Sequence, residues 1–173
     1  MLSGARAQVS CRSRYTEDRL SDLIDGGITQ YVILGAGLDS FAYRSGLASP
    51  ALVSWLGVSM YLTRAAIGRT LGEVGGFVAG TELIVDYMLP AGLRDAAGDT
   101  YVELVNPAAA SRGEPWLTFV APGEKSALLT SHGLKPAAHG RQRDAVDAAL
   151  WNRSDSLRPI ELSNLARAIV SGR

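Results

Sequence analysis

Gln30-Tyr31-Val32-Ile33-Leu34 runs straight into Gly35-Ala36-Gly37, and that junction leaves few choices of fold. The run has no polar alternation and is rich in β-branched and aromatic side chains, which suits a strand buried on both faces of a mostly parallel sheet. Glycine lets the chain turn sharply and leaves room for a ligand to approach the backbone. Asp39 is placed to cap a following helix that carries Phe41, Ala42 and Tyr43. In open α/β sheets, ligands bind beyond the carboxyl ends of strands at such junctions, where a helix N-terminus offers free N–H groups. The motif is incomplete, because Ser40 stands where the dinucleotide fingerprint expects a third small residue. An ordinary tight turn without a ligand is the plain alternative.

The remaining chain alternates in the same way. Tyr15 to Asp25 reads as a helix with Leu20, Leu23 and Ile24 on its buried face, stopped by Gly26-Gly27. Ala51 to Leu56 reads as a second buried strand ending at Gly57, and Thr63 to Val74 as a helix with Ile67 and Leu71 inward. Leu83 to Tyr87 reads as a third strand. Ala91 to Arg112 is weakly patterned and is expected to contain a helix. Trp116 to Val120 is strand-like, Pro122 to His132 helical, Asp144 to Asn152 a short helix, and Leu165 to Val170 a last strand. Strands alternating with helices imply one α/β domain over residues 1–173, with no internal repeat and no linker.

Composition narrows the function. Seventeen basic and seventeen acidic residues give a formal net charge of zero, so no global field draws the chain to nucleic acid. Ser45 to Thr63 carries no charged side chain, but four serines, Pro50 and two glycines argue against a membrane span. One cysteine, Cys11, and two histidines, His132 and His139, offer no metal-ligand spacing. The expected setting is cytoplasmic, without nucleic-acid or membrane partners.

Five blocks in order carry a family resemblance. They are Arg14-Tyr-Thr-Glu-Asp-Arg-Leu20, Tyr31-Val-Ile-Leu-Gly-Ala-Gly-Leu-Asp-Ser-Phe-Ala-Tyr-Arg44, Ser54-Trp-Leu-Gly-Val-Ser-Met-Tyr-Leu-Thr63, Val85-Asp-Tyr-Met-Leu-Pro90 and Gly113-Glu-Pro-Trp-Leu-Thr-Phe119. Together they resemble the bacterial branch of the leucine carboxyl methyltransferase-like family. The resemblance implies a Rossmann-like class I methyltransferase sheet and S-adenosyl-L-methionine as cofactor. It implies that Gly35, Ala36 and Gly37 pass under the methionine part of that cofactor, with Asp39 beside it. Arg14 resembles an arginine that pairs with the cofactor carboxylate, and Arg12 is a close competitor. Leu56 and Gly57 would end the fourth family strand near the reacting methyl group, and Tyr61 resembles a tyrosine of the acceptor pocket. The acceptor would be a small molecule or a carboxylate.

The same resemblance exposes a gap. Between Arg44 and Pro50 the family carries two further helix–strand units of about 30 residues each, including the acid that holds the cofactor ribose. The window from Leu52 to Tyr61 contains no Asp or Glu. Two lost charged hydrogen bonds, at roughly 1.5–3 kcal/mol each, would weaken the cofactor by roughly 10²–10⁴-fold. The chain is thus expected to bind the cofactor weakly or not at all. Without those units Tyr31 to Leu34 becomes an edge strand, prone to pair with a second copy. The competing reading is a non-catalytic remnant or interaction module. A serine hydrolase is disfavoured, because Gly57-Val-Ser-Met-Tyr61 lacks the last glycine of a nucleophile elbow.

Overall fold

The structure, a computed structural model, describes residues 2–35, 50–151, 155 and 157–172. The described elements in chain order are α1 (Leu2–Asp25), β1 (Tyr31–Leu34), β2 (Leu52–Trp55), α2 (Arg64–Gly75), β3 (Glu82–Met88), α3 (Ala96–Ala110), α4 (Pro122–Ser131), β4 (Leu134–Arg141) and β5 (Ser163–Val170). One five-stranded sheet runs β1-β2-β3-β5-β4. β1, β2 and β3 are parallel to one another, and β5 is antiparallel to both β3 and β4. Among the described residues β1 has one strand neighbour, so it lies at an edge.

The buried parallel centre follows from composition. All residues of β2 and β3 are buried, as their largely apolar runs require, with Ser54, Glu82 and Asp86 buried among them. On one face Val53, Trp55, Leu83, Val85 and Tyr87 pack against Ile67, Leu71 and Val74 of α2 and Leu129 of α4. On the other, Leu52, Ile84 and Leu165 meet Tyr15, Leu20 and Leu23 of α1. The uncharged stretch after residue 49 is therefore a buried strand and a turn. No helix among the described residues is long and apolar enough to cross a membrane.

Helix α1 is longer than its sequence suggests. It spans 24 residues, and Gly4, Ala7, Gln8, Cys11 and Thr16 lie buried in its first two thirds. Those positions recur at helical spacing, but their side chains are small or polar, so no apolar stripe betrays them. Ile24, expected inward, is 56% exposed, while Leu20 and Leu23 pack on the sheet. Arg19 reaches Glu82 at the start of β3, and Arg167 on β5 pairs with the same carboxylate at 3.2 Å. The two guanidinium groups hold Glu82 below the ordinary carboxylate value, although burial alone would raise it.

Other expectations change. Leu134–Arg141 is a strand although it contains Pro136, Gly140 and three small or polar residues between them. It is an edge strand with a register shift between Pro136 and Ala138, the setting that tolerates proline. His139 lies in this strand, where its ring nitrogens share hydrogen bonds with Tyr87 Oη at 3.1 Å and Ser126 Oγ at 2.9 Å. Trp116 to Val120 is not a strand. Its N–H groups go to different places, Leu117 and Thr118 to the Met60 carbonyl and Val120 to that of Met88, so no ladder forms. The helix expected from Asp144 to Asn152 is replaced by two short 3-10 turns, Gln142–Asp144 and Ala148–Trp151.

Lys125 on α4 is buried beneath this face, its ammonium 5.9 Å from the Trp55 ring centre and 5.6 Å from that of Tyr87. Burial pushes it down from 10.5 to about 8, partly offset by the Asp86 charge. The two ring faces return a little more of that cost. The folded-state value lies below the unfolded one, so the unfolded chain holds more protons between them. Stability should therefore rise as pH increases from about 8 to 10.5, by up to roughly 3 kcal/mol. Urea unfolding across that range measures the rise, and Lys125→Met should abolish it while raising stability at neutral pH.

Candidate functional site

The sheet fixes where a site must lie. β1, β2 and β3 all point their carboxyl ends the same way, toward Gly35, Leu56-Gly57 and Met88. The first half of α1 lies over those ends, because α1 runs against the strands and its later Arg19 meets the start of β3.

Asp86 organises this end. Its carboxylate is fully buried in β3, between Val85 and Tyr87. Oδ2 accepts from Arg12 Nη1 at 2.6 Å, and Oδ1 accepts from the Gly57 N–H at 2.7 Å. Ser59 Oγ donates to the Asp86 main-chain carbonyl at 2.7 Å. One carboxylate thus ties α1, the turn after β2, and β3 together. A buried charge needs this kind of pairing, since an unpaired one is strongly disfavoured.

Two glycines are required by position. Gly57 has φ +74°, and a Cβ there would lie 2.7 Å from Arg12 Nη2. Gly35 has φ +78°, and a Cβ there would lie 2.3 Å from Val58 Cγ2. The guanidinium therefore lies directly over the Gly57 backbone, and the turn after β2 presses against the end of β1.

Of the residues singled out from sequence, Gly35, Leu56, Gly57 and Tyr61 fall at this end of the sheet. Gly35 and Leu56 line a cleft of about 160 Å³ under α1, with Thr16 and Glu17 above. Gly57 and Tyr61 line a second cavity of about 190 Å³. Arg14 is not brought there. It points to solvent and pairs with Asp18 at 2.8 Å, one turn along the same helix. Arg14 lies two positions beyond Arg12, about half a helical turn, so only one of them can face the strands. Arg12 is that one. Ala36, Gly37 and Asp39 lie outside the described residues.

Asp86 was legible only as an acid on a later strand, yet it carried a usable signal. A lone Asp inside Leu83-Ile-Val-Asp-Tyr-Met88 predicts a buried charge, and a buried charge predicts a partner. Several groups are excluded from nucleophilic chemistry. Ser59 is buried and its hydroxyl is committed to the Asp86 carbonyl. Burial pushes the Cys11 thiol up to about 11, which keeps it protonated. Among the described residues no group of three or more His, Cys, Asp or Glu is placed to hold a metal ion.

Comparison with known proteins adds the lineage. The profile of the family described as leucine carboxyl methyltransferase matches residues 2–49. A candidate S-adenosyl-L-methionine-dependent methyltransferase of Mycobacterium avium (strain 104) is 31% identical over 165 residues, covering 86% of this chain. The chain is thus similar to the leucine carboxyl methyltransferase family and to this mycobacterial protein. It spans about half the length, 53%, of that mycobacterial relative. Solved structures agree on the fold. A candidate methyltransferase of Thermobifida fusca YX superposes with a TM-score of 0.61 at 13% identity, covering 98% of this chain and 84% of that one. The 1,6-didemethyltoxoflavin-N1-methyltransferase of Burkholderia thailandensis, solved with its substrate and S-adenosylhomocysteine, gives 0.54 at 10% identity, covering 94% and 79%. The sheet is thus Rossmann-like, as the sequence implied.

Removing either end of the Arg12–Asp86 pair should be costly. Arg12→Ala is expected to lose roughly 3–5 kcal/mol, because Asp86 stays buried and unpaired. Gly57→Ala should lose about 1–2 kcal/mol from its left-handed backbone alone and displace the guanidinium as well. Arg14→Ala should leave the unfolding midpoint nearly unchanged. Denaturant unfolding of the three variants side by side measures the contrast.

Proposed function

We propose that this chain is an S-adenosyl-L-methionine-binding methyltransferase domain whose cofactor is held mainly by its amino-acid end. The observation that carries the reading is the Arg12 guanidinium lying over Gly57 at the carboxyl end of β2. Arg12 spends one N–H on Asp86, and a guanidinium has five, so donors remain for a ligand carboxylate. Gly35 ends β1 at the cleft, where its missing Cβ lets Val58 of the turn after β2 pack against the strand end. These residues fit the amino-acid portion of the cofactor. When bound, that cofactor supplies an electrophilic methyl group.

The chain's own part is placement. Methyl transfer depends on holding an acceptor in line with the methyl group, and proximity can supply much of the rate. Asp86 keeps Arg12 and the Gly57 turn in one fixed relation, which preserves that geometry. The acceptor is proposed to be a small molecule, a carboxylate being one class.

The ribose is poorly served. Glu82 is locked between Arg19 and Arg167 at the start of β3, far along the strand from Gly57. Glu73 is exposed on α2. Neither stands where an acid would meet the ribose, which favours weak binding and keeps a non-catalytic module as the second reading. The reading also includes pairing of a second copy along β1, where Ile33 is 42% exposed.

Isothermal titration with S-adenosylmethionine tests the proposal. Binding weaker than that of a complete family member, and lost in Arg12→Ala, is the expected result. A micromolar dissociation constant would overturn the weak-binding part, and binding indifferent to Arg12 would overturn the assignment of the site. Sedimentation at increasing concentration checks β1 pairing, with a strict monomer counting against it.

A further inference from the structure

Tyr87, one residue after Asp86, points to the opposite face of β3, away from the proposed cofactor site. Its hydroxyl meets His139 Nδ1 at 3.1 Å, and His139 Nε2 meets Ser126 Oγ at 2.9 Å. The Tyr87 and His139 rings stand edge to face, with centres 6.0 Å apart. The Asn164 side-chain amide also bonds the Tyr87 hydroxyl. One residue from each of β3, β4, β5 and α4 thus joins a single hydrogen-bonded row.

Asn164 gives the row a direction. Its Oδ1 is buried with no partner among the described residues, so its amide nitrogen donates to Tyr87. Tyr87 Oη accepts that bond and turns its own proton toward His139 Nδ1. A neutral imidazole carries one N–H, so the proton sits on Nε2 and is donated to Ser126 Oγ. Ser126 and His139 have the spacing of a nucleophile and its base. The nitrogen facing the hydroxyl already carries a proton, however, and cannot take another. The row is a tie between elements and does not form a catalytic pair.

Acid acts directly on that tie. A proton added at Nδ1 faces the proton of Tyr87, and the link between the two groups fails. The new cation would also be half-buried near Lys125 of α4, whose ammonium lies 5.6 Å from the Tyr87 ring centre. Burial first, and the Lys125 charge second, already hold His139 below its ordinary value. The other surroundings offer no free acid among the described residues. β5 presents Ala166 and Asn164 beside the ring. Arg141, two positions along β4, is taken by Asp144 and Glu161. On the far face Tyr15, Asp144 and Arg167 border a small cleft at His139, and Arg167 is paired with Glu82.

β4 has little else to hold it. It pairs with β5 alone, shifts register between Pro136 and Ala138, and buries only its first residue, Leu134. Elements with few buried contacts open locally at low cost. We propose that His139 is an acid-sensitive latch: its neutral ring ties the β4 edge to β3 and α4, and protonation releases that edge. The latch is independent of the cofactor assignment, since it lies on the other face of the sheet.

The test uses the full chain, labelled with nitrogen-15, from about pH 8 down to about pH 5, the range in which histidine changes charge. At neutral pH the His139 ring signals should show Nε2 protonated and Nδ1 bare. A proton on Nδ1 would overturn the proposal. Hydrogen-exchange protection is followed over the same range, corrected for the intrinsic pH dependence of exchange. The native ring titrates below the ordinary value of 6.5, so the open state holds more protons there. Protection of the β4 amides should therefore fall as pH drops through about 6.5, while that of the β3 amides holds. His139→Gln keeps a neutral donor and acceptor at the site, and its β4 protection should stay level with pH. Lys125→Met is the second variant. With the neighbouring charge removed, the His139 midpoint should move up and the loss of β4 protection should shrink with it. Level β4 protection in the unaltered chain while the ring titrates would overturn the latch, as would an undiminished loss in His139→Gln. A loss that ignores the shifted ring midpoint in Lys125→Met would do the same.

Discussion

The buried carboxylate of Asp86 is the point on which the active end of this fold depends. It belongs to the central strand β3, yet both of its oxygens are committed to other elements, one to Arg12 of α1 and one to the Gly57 N–H after β2. Hydrogen bonds to a charged group in a dry setting are stronger than neutral ones. The same dryness makes the loss of any partner expensive. The positions of α1 and of the Gly57 turn are therefore not independent. Anything that moves one moves the guanidinium that the proposed site uses.

This arrangement explains how α1 is held on the sheet without an apolar stripe. An N-terminal helix of small and polar residues would gain little by burying its own face. Here it contributes Arg12 to Asp86, Arg19 to Glu82 and Gln8 to the Ile160 carbonyl. Three polar ties replace part of the apolar packing such a helix usually needs. They also place its first turns above the carboxyl ends of β2 and β3, where they close the cavity that holds Tyr101 and Trp116.

The opposite face is organised by different means. Lys125 is buried against two aromatic rings, with its charge disfavoured and its value lowered to about 8. Close by, Tyr87, His139 and Ser126 form a short hydrogen-bonded chain that links β3, β4 and α4. Desolvation lowers His139 from its ordinary value, and the Lys125 charge adds to that. The two faces of one sheet thus solve the burial of polar groups separately: by ion pairing toward α1, and by aromatic and neutral contacts toward α4.

Much of the centre was legible in the residues. Continuous apolar runs at Tyr31 to Leu34, Ala51 to Leu56 and Leu83 to Tyr87 specify buried parallel strands, because no other element hides both faces of so short a segment. Gly35 and Gly57 mark the ends of two of them, and the five ordered blocks mark the lineage. What escaped was whatever local pattern does not encode. β4 carries proline and glycine, and it is a strand only because β5 lies alongside to pair with it. The first half of α1 has no apolar stripe, and its helical face is defined by what the sheet presents to it. The choice of Arg12 over Arg14 rests on helix phase against a particular carboxylate, which appears only when α1 is docked. Sequence alone determined the strands, the turns that require glycine and the family, since those depend on neighbouring residues. Tertiary structure decided which charges meet, because a buried ion pair joins residues as far apart as Arg12 and Asp86 and leaves no trace in the spacing of either.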